Sequence, residues 1–103
     1  MDHEQFGFWA SLSLKNPHPV IRISHRGELL FANAASAALF SGKVPLSGER
    51  VPAQWCETAH RVIASRQSEE LEFICGARTY ALTLIAVSKG DAVNIYAIDV
   101  TEL

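Results

Sequence analysis

The 103-residue chain contains no apolar run approaching the ~20 residues of a membrane-spanning helix. Its opening, Met1-Asp2-His3-Glu4-Gln5, is acidic where a secretory signal would be basic. Both absences point to a cytoplasmic chain without direct membrane insertion. Basic clusters are also missing. Lys and Arg number 9 against 11 Asp and Glu and are scattered singly, so no electrostatic footprint for nucleic acid is present.

Cysteine is scarce. Cys56 and Cys75 occur without C-x-x-C or zinc-ligand spacing and read as reduced, partly buried small hydrophobes. There is no internal repeat and no low-complexity segment. The sequence has no G-x-S-x-G elbow, P-loop, G-x-G-x-x-G or H-E-x-x-H. Glu70 and Glu72 alternate on one side of a strand beside Glu69, which describes a solvated face better than an acid–base pair. No catalytic residue and no metal site is assigned, and these residues are not expected to form an enzyme.

What is present suits one folded domain: 49% apolar residues, 19% charged, and a length at which about two-thirds of the unfolded surface can be buried. Phe6, Trp9 and Leu12, with Phe8 one turn before Leu12, make an i, i+3, i+4 stripe, so residues 1–16 hold an N-terminal amphipathic helix. Pro17 and Pro19 stop it and push Asn16 and His18 toward extended backbone. Val20 to Ser24 and Glu28 to Ala32 read as strands joined by a hairpin with Gly27 at the positive-φ position. Asn33 is a plausible N-cap for the short Ala-rich helix that follows.

After a loop from Ser41 to Pro52, Trp55, Ala59, Val62 and Ile63 form the buried stripe of a second helix, Ala53 to Arg66. The remainder has period two. Gly76-Ala77 and Lys89-Gly90-Asp91 divide it into three consecutive antiparallel strands. The expected fold is α+β: a five-stranded antiparallel sheet with helices across one face, plus the N-terminal helix. In the two longest strands both alternating residue sets are largely apolar, which implies that the second face is covered as well, by the N-terminal helix or by another subunit.

The stretch NPHPVIRISHRGELLFANAASAALF resembles the opening of a PAS sensor domain, in which an N-P-x-P-V element leads through a Gly hairpin to "AN" and a short helix. YALTLIAVSKGDAVNIYAIDVTEL is similar to the closing strands of that family, with D-V-T-E matching its D-I-T-E terminus. The resemblance covers about half of the chain. It implies a bacterial-type signalling module, a sheet and helices enclosing a ligand-sized cavity, homodimerisation, and fusion to a histidine kinase or nucleotide cyclase. Residues 17–99 would be the sensor domain and residues 100–103 the start of a linker helix to an effector C-terminal to Leu103. Asp99 and Thr101, at the family's D-x-T element, would relay the signal, and physically either can cap a following helix.

Candidate pocket residues are Trp55, His60, Tyr80, Thr83, Asn94 and Tyr96, which combine apolar bodies with hydrogen-bonding tips. Strand alternation allows at most half of them to meet one cavity. Phe6, Phe8, Trp9 and Leu12 form the candidate dimer surface. His60 lies one turn after Cys56, but no third ligand completes a metal site. Haem is disfavoured because the family register places Trp55, not His60, at the iron-binding position. A flavin adduct is disfavoured because SAALFSGKV carries no Cys where that branch has one. Three readings stay open: a sensor binding a small molecule or partner, a ligand-free dimerisation and relay module, and a small isomerase-like enzyme that would need a buried acid or His.

Overall fold

The computed structural model of the chain describes residues 2–88 and 90–103. The side chains of residues 2–6 and of Phe8 lie outside the described residues, and with them the expectations for Phe6 and Phe8. Helix α1 (Asp2–Leu14) is followed by β1 (Val20–Ser24), β2 (Leu29–Ala32), a 3-10 helix (Ala34–Leu39), α2 (Ala53–Ser65), β3 (Glu69–Cys75), β4 (Arg78–Ala86) and β5 (Ala92–Asp99). The five strands form one antiparallel sheet in the order β2-β1-β5-β4-β3. The first and last strands therefore lie side by side: β1 and β5 are neighbours, and the last strand is clamped on both sides.

The inner face meets α2 and the 3-10 helix. Ile21, Ile23, Leu82, Leu84, Val93 and Ile95 are fully buried there against Trp55, Ala59 and Val62, the apolar stripe of α2. Burying a side chain of this size contributes about 1.5–3 kcal/mol each, so this layer dominates stability. Helix α2 ends at Arg66, whose left-handed φ of 60° lets its N–H return to the Val62 carbonyl at 2.8 Å. Arg66 also donates to the Val87 and Gly90 carbonyls, holding the β4–β5 connection against the helix end.

The β1–β2 hairpin turns at Gly27, φ 79°. A Cβ at this position would approach Cys56 Sγ to 3.0 Å, so glycine is required both by the backbone angle and by contact with α2. Within the hairpin the ladder slips once, between Arg22 and Ile23. Arg22 pairs with Phe31 and Ile23 with Leu29, leaving Leu30 as the extra residue of a bulge, 43% exposed.

Asn33 joins four segments and is completely buried. Its Oδ1 accepts the N–H groups of Ser36 and Val20 at 3.1 and 3.0 Å. Its Nδ2 donates to the carbonyls of Ser13 at 3.0 Å, His18 at 2.9 Å and Asn16 at 3.3 Å. The expected N-cap is present, and the same side chain anchors the end of α1 and the Pro-bounded link to β1.

Helix α1 reaches the outer face of the sheet through Trp9. The indole packs edge-on against Phe31 with centroids 4.9 Å apart, and its Nε1 donates to the Tyr96 hydroxyl at 3.0 Å. Ser13, one turn on, is buried, while Leu12 is 58% exposed and does not share the docked face. Ile74, Ile85 and Ile98 remain exposed on the outer face. Among the described residues, no helix is long and apolar enough to cross a membrane.

Candidate functional site

The strands divide the candidate residues between the two faces, as alternation requires. Tyr80 stands beside Phe73 on the inner face and is buried in the core with Trp55. Thr83 and Tyr96 are paired neighbours on the outer face, and Asn94 lies opposite Arg22 on the same side. Sequence alone could not decide which set faced the helices.

Trp55 lies at the centre of the inner layer. It is completely buried, with Phe73 edge-on at 5.0 Å and Phe40 edge-on at 5.6 Å. Its indole Nε1 has no hydrogen-bond partner among the described residues. Phe40 also lines a groove of about 480 Å³ with Lys43, Val44, Pro45, Leu46 and Glu49. The loop after the 3-10 helix thus forms one wall of an open depression beside the aromatic cluster.

His60 is exposed and sits apart from this cluster. Its Nε2 is 2.5 Å from the His25 carbonyl oxygen and 3.8 Å from Cys56 Sγ. It links α2 to the β1–β2 hairpin, in a shallow pocket of about 240 Å³ with Gly27, Arg50 and Glu57. No group of three or more His, Cys, Asp or Glu side chains that could hold a metal occurs among the described residues.

The outer-face set is organised around Arg22, which the sequence reading did not single out. Its guanidinium lies 4.1 Å from the centre of a Trp9 ring, and its Nε donates to Asn94 Oδ1 at 2.7 Å. Burial lowers the Arg22 pKa, although Tyr96 acts in the opposite direction. Asn94 and Tyr96 are therefore occupied in holding α1. The detectable signal was Arg22 itself, a charged residue in an otherwise apolar strand.

The C-terminal element is bonded to the start of β4. Asp99 Oδ1 accepts the Thr101 N–H at 2.9 Å and also the Thr101 hydroxyl. Thr101 Oγ1 accepts the Thr79 N–H at 2.9 Å, and Val100 N–H donates to the Thr79 carbonyl at 2.8 Å. Arg78 pairs with the other Asp99 oxygen at 3.1 Å. The Thr101 hydroxyl and N–H, with Arg78 behind them, hold the Asp99 carboxyl below the usual carboxylate range. Residues 100–103 make a single turn, with Leu103 N–H on the Val100 carbonyl at 3.1 Å.

The fold of the chain recurs in known structures. The PAS domain of BvgS from Bordetella pertussis superposes with a TM-score of 0.68 at 20% identity, over 96% of this chain and 88% of that one. The chain has a PAS fold. The photoactive yellow protein domain of the sensor histidine kinase Ppr from Rhodospirillum centenum gives a TM-score of 0.67 at 14% identity, over 86% and 91% of the two chains. A phage VqmA–DPO complex gives 0.84 at 12% identity, over 98% of this chain but 55% of the other. The sequence matches no family model and no curated protein. In these PAS terms, Trp55 lies on the helix that covers the sheet, and Asp99 and Thr101 lie where the last strand leaves it.

Proposed function

We propose that this PAS domain is the sensory module of a signal-transduction protein of the histidine kinase or nucleotide cyclase type. It binds a small molecule or partner and passes the change through Asp99 and Thr101 to an effector C-terminal to Leu103. The observation that carries this reading is the bonding of the C-terminal turn to Thr79 and Arg78. A shift in β4 or β5 strains these bonds and so reaches the exit of the chain directly. The PAS fold shared with a domain of the sensor kinase Ppr supports it. A second copy covering Ile74, Ile85 and Ile98 belongs to the same proposal.

The test is signal-dependent output of the intact protein carrying Asp99→Ala. Loss of the response with folding retained supports the relay. An unchanged response overturns it.

The ligand-free relay module is a second reading, favoured by the way Phe40, Trp55 and Phe73 fill the inner layer with the protein's own side chains. Native mass spectrometry of the purified chain separates the two, because bound mass is expected only in the first.

A further inference from the structure

The two edges of the sheet are finished differently. On the β2 side the chain covers its own edge: Leu29 N–H donates to the Glu49 carbonyl and Gly48 N–H to the Leu29 carbonyl, each at 2.7 Å, and the bulge at Leu30 breaks up what remains. The β3 edge has no such cover. It pairs with β4 without a bulge from Glu69 to Cys75 and contains neither proline nor lysine. Among the described residues its backbone bonds only to β4. The two-residue turn Gly76-Ala77 makes Cys75 and Arg78 a hydrogen-bonded pair, so alternation aims the N–H and C=O groups of Glu70, Glu72 and Ile74 away from β4 into the open.

The side chains along this edge fall into two rows. Glu70, Glu72 and Ile74 stand exposed on the outer face. Leu71, Phe73 and Cys75 turn toward the inner layer but are only half-buried, because α2 packs chiefly on β4 and β5. Glu69 is paired with Arg61 at 3.1 Å, whereas Glu70 and Glu72 have no ion pair among the described residues. An open ladder, an apolar row and two unpaired carboxylates therefore run side by side.

We propose that the β3 edge docks an extended basic segment of another protein, which adds antiparallel as a sixth strand. The backbone groups of Glu70, Glu72 and Ile74 supply the ladder. Lysine or arginine stands opposite Glu70 and Glu72, and apolar residues stand opposite Leu71 and Phe73, so the recognised pattern is apolar-basic-apolar-basic. A second copy of this chain is the wrong occupant: pairing β3 with itself over its full length sets Glu72 against Glu72, and like charges directly opposite are destabilising. The same carboxylates that repel a second β3 select a cationic strand. This deepens the sensory reading by naming the chemistry of a partner, and it rests on that reading only for the effect of the partner on output.

The probe is the peptide acetyl-Thr-Val-Lys-Val-Lys-Thr-amide. Its controls are the same peptide with glutamate for lysine, and the same peptide N-methylated at the two lysine amides, which removes the donors that would face β3. Saturation with the lysine peptide is expected to slow amide exchange at Glu70, Glu72 and Ile74 about tenfold or more, and to give Hα–Hα cross-peaks from Leu71 and Phe73 to the peptide valines. The controls are expected to do neither. The double variant Glu70→Lys with Glu72→Lys is expected to weaken binding of the lysine peptide about tenfold and to bind the glutamate peptide instead. Ile74→Pro keeps both carboxylates but removes an outward N–H, a place where an edge strand tolerates proline, and is expected to lose binding.

Unaltered exchange at Leu71 and Phe73, whose amides bond to β4, shows that a variant that loses binding is still folded. N-methylated peptide or Ile74→Pro binding as well as the unmodified pair would reduce the contact to charge attraction and overturn strand addition. Equal binding of the glutamate peptide overturns the basic partner. Slow exchange at Glu70, Glu72 and Ile74 in the free chain that accelerates on dilution assigns the edge to a second copy and overturns the proposal. Failure here is distinct from failure of the sensory reading. A metabolite that raises the melting temperature while the lysine peptide does not bind removes the edge site alone, and peptide binding that leaves exchange at Thr79, Val100 and Thr101 unchanged keeps the edge site without the relay.

Discussion

Thr101 accepts the backbone N–H of Thr79 at 2.9 Å through its side-chain oxygen, so the turn after β5 is fastened to the start of β4. Asp99 holds that hydroxyl in place. The contact explains why Asp and Thr occur two residues apart at the end of an apolar strand: one orients the other, and the pair satisfies the Thr79 amide, which lies just past the last β4–β5 pair. Thr101→Val keeps the shape and removes the acceptor. Amide exchange at Thr79 is expected to accelerate about tenfold, the equivalent of one hydrogen bond, with exchange at Ile95 in the core unchanged.

The same contact has a pH signature. Asp99 is held below its ordinary pKa, so its contribution is complete above the unfolded value and is lost as pH falls through the lower folded value. Carboxyl carbon NMR should place the Asp99 midpoint below that of an ordinary aspartate. The Thr101 amide shift should follow that midpoint. In Thr101→Val the midpoint should rise toward the ordinary range, since Thr101 is the chief cause of the depression.

Asn33 is the most demanding polar residue in the fold. Asn33→Leu removes two acceptor and at least two donor interactions and leaves the Val20 and Ser36 amides without this partner. A loss of about 3 kcal/mol is expected in urea unfolding. Asn33→Asp keeps the acceptors but places charge against the Ser13 and His18 carbonyls, and is expected to be nearly as damaging.

Trp9 and Tyr96 should show measurable coupling. A double-mutant cycle with Trp9→Phe and Tyr96→Phe is expected to give about 0.5–1.5 kcal/mol, because it isolates one part-buried hydrogen bond. Trp9→Ala should in addition expose α1 to proteolysis, with α2 and β3–β5 remaining protected.

Gly27→Ala combines a left-handed backbone with a Cβ placed 3.0 Å from Cys56 Sγ. A cost of about 1–3 kcal/mol in thermal or urea unfolding is expected. The double variant with Cys56→Ala should recover part of that loss, since it removes the sulfur but not the φ requirement.

Much of this architecture is legible in the sequence because it is local. Gly27 between two β-branched runs marks a hairpin, Asn33 before an Ala-rich segment marks a cap, and Trp55, Ala59 and Val62 mark a buried helical stripe. Strand alternation separates Tyr80 from Thr83, Asn94 and Tyr96, but it does not say which set meets the helices, since both sets are apolar enough to be buried. Long-range contacts set the remainder. Nothing near Asn33 announces that the chain from Ser13 to His18 will return to it, and nothing near Trp9 announces Arg22 and Tyr96. The αL end of α2 at Arg66 carries no glycine, so no local signal marked it. Leu12 fits a helical stripe with Trp9, but the buried position one turn after Trp9 is Ser13.

The account rests on the ends of β4 and β5 carrying a signal to the turn at residues 100–103. Its most direct measurement is amide hydrogen exchange at Thr79, Val100 and Thr101, with and without a molecule that raises the melting temperature of the chain. The account predicts that binding changes exchange at these three amides at least tenfold in wild type, and that Asp99→Ala abolishes the change without weakening binding. Binding that leaves all three amides unaltered would contradict it.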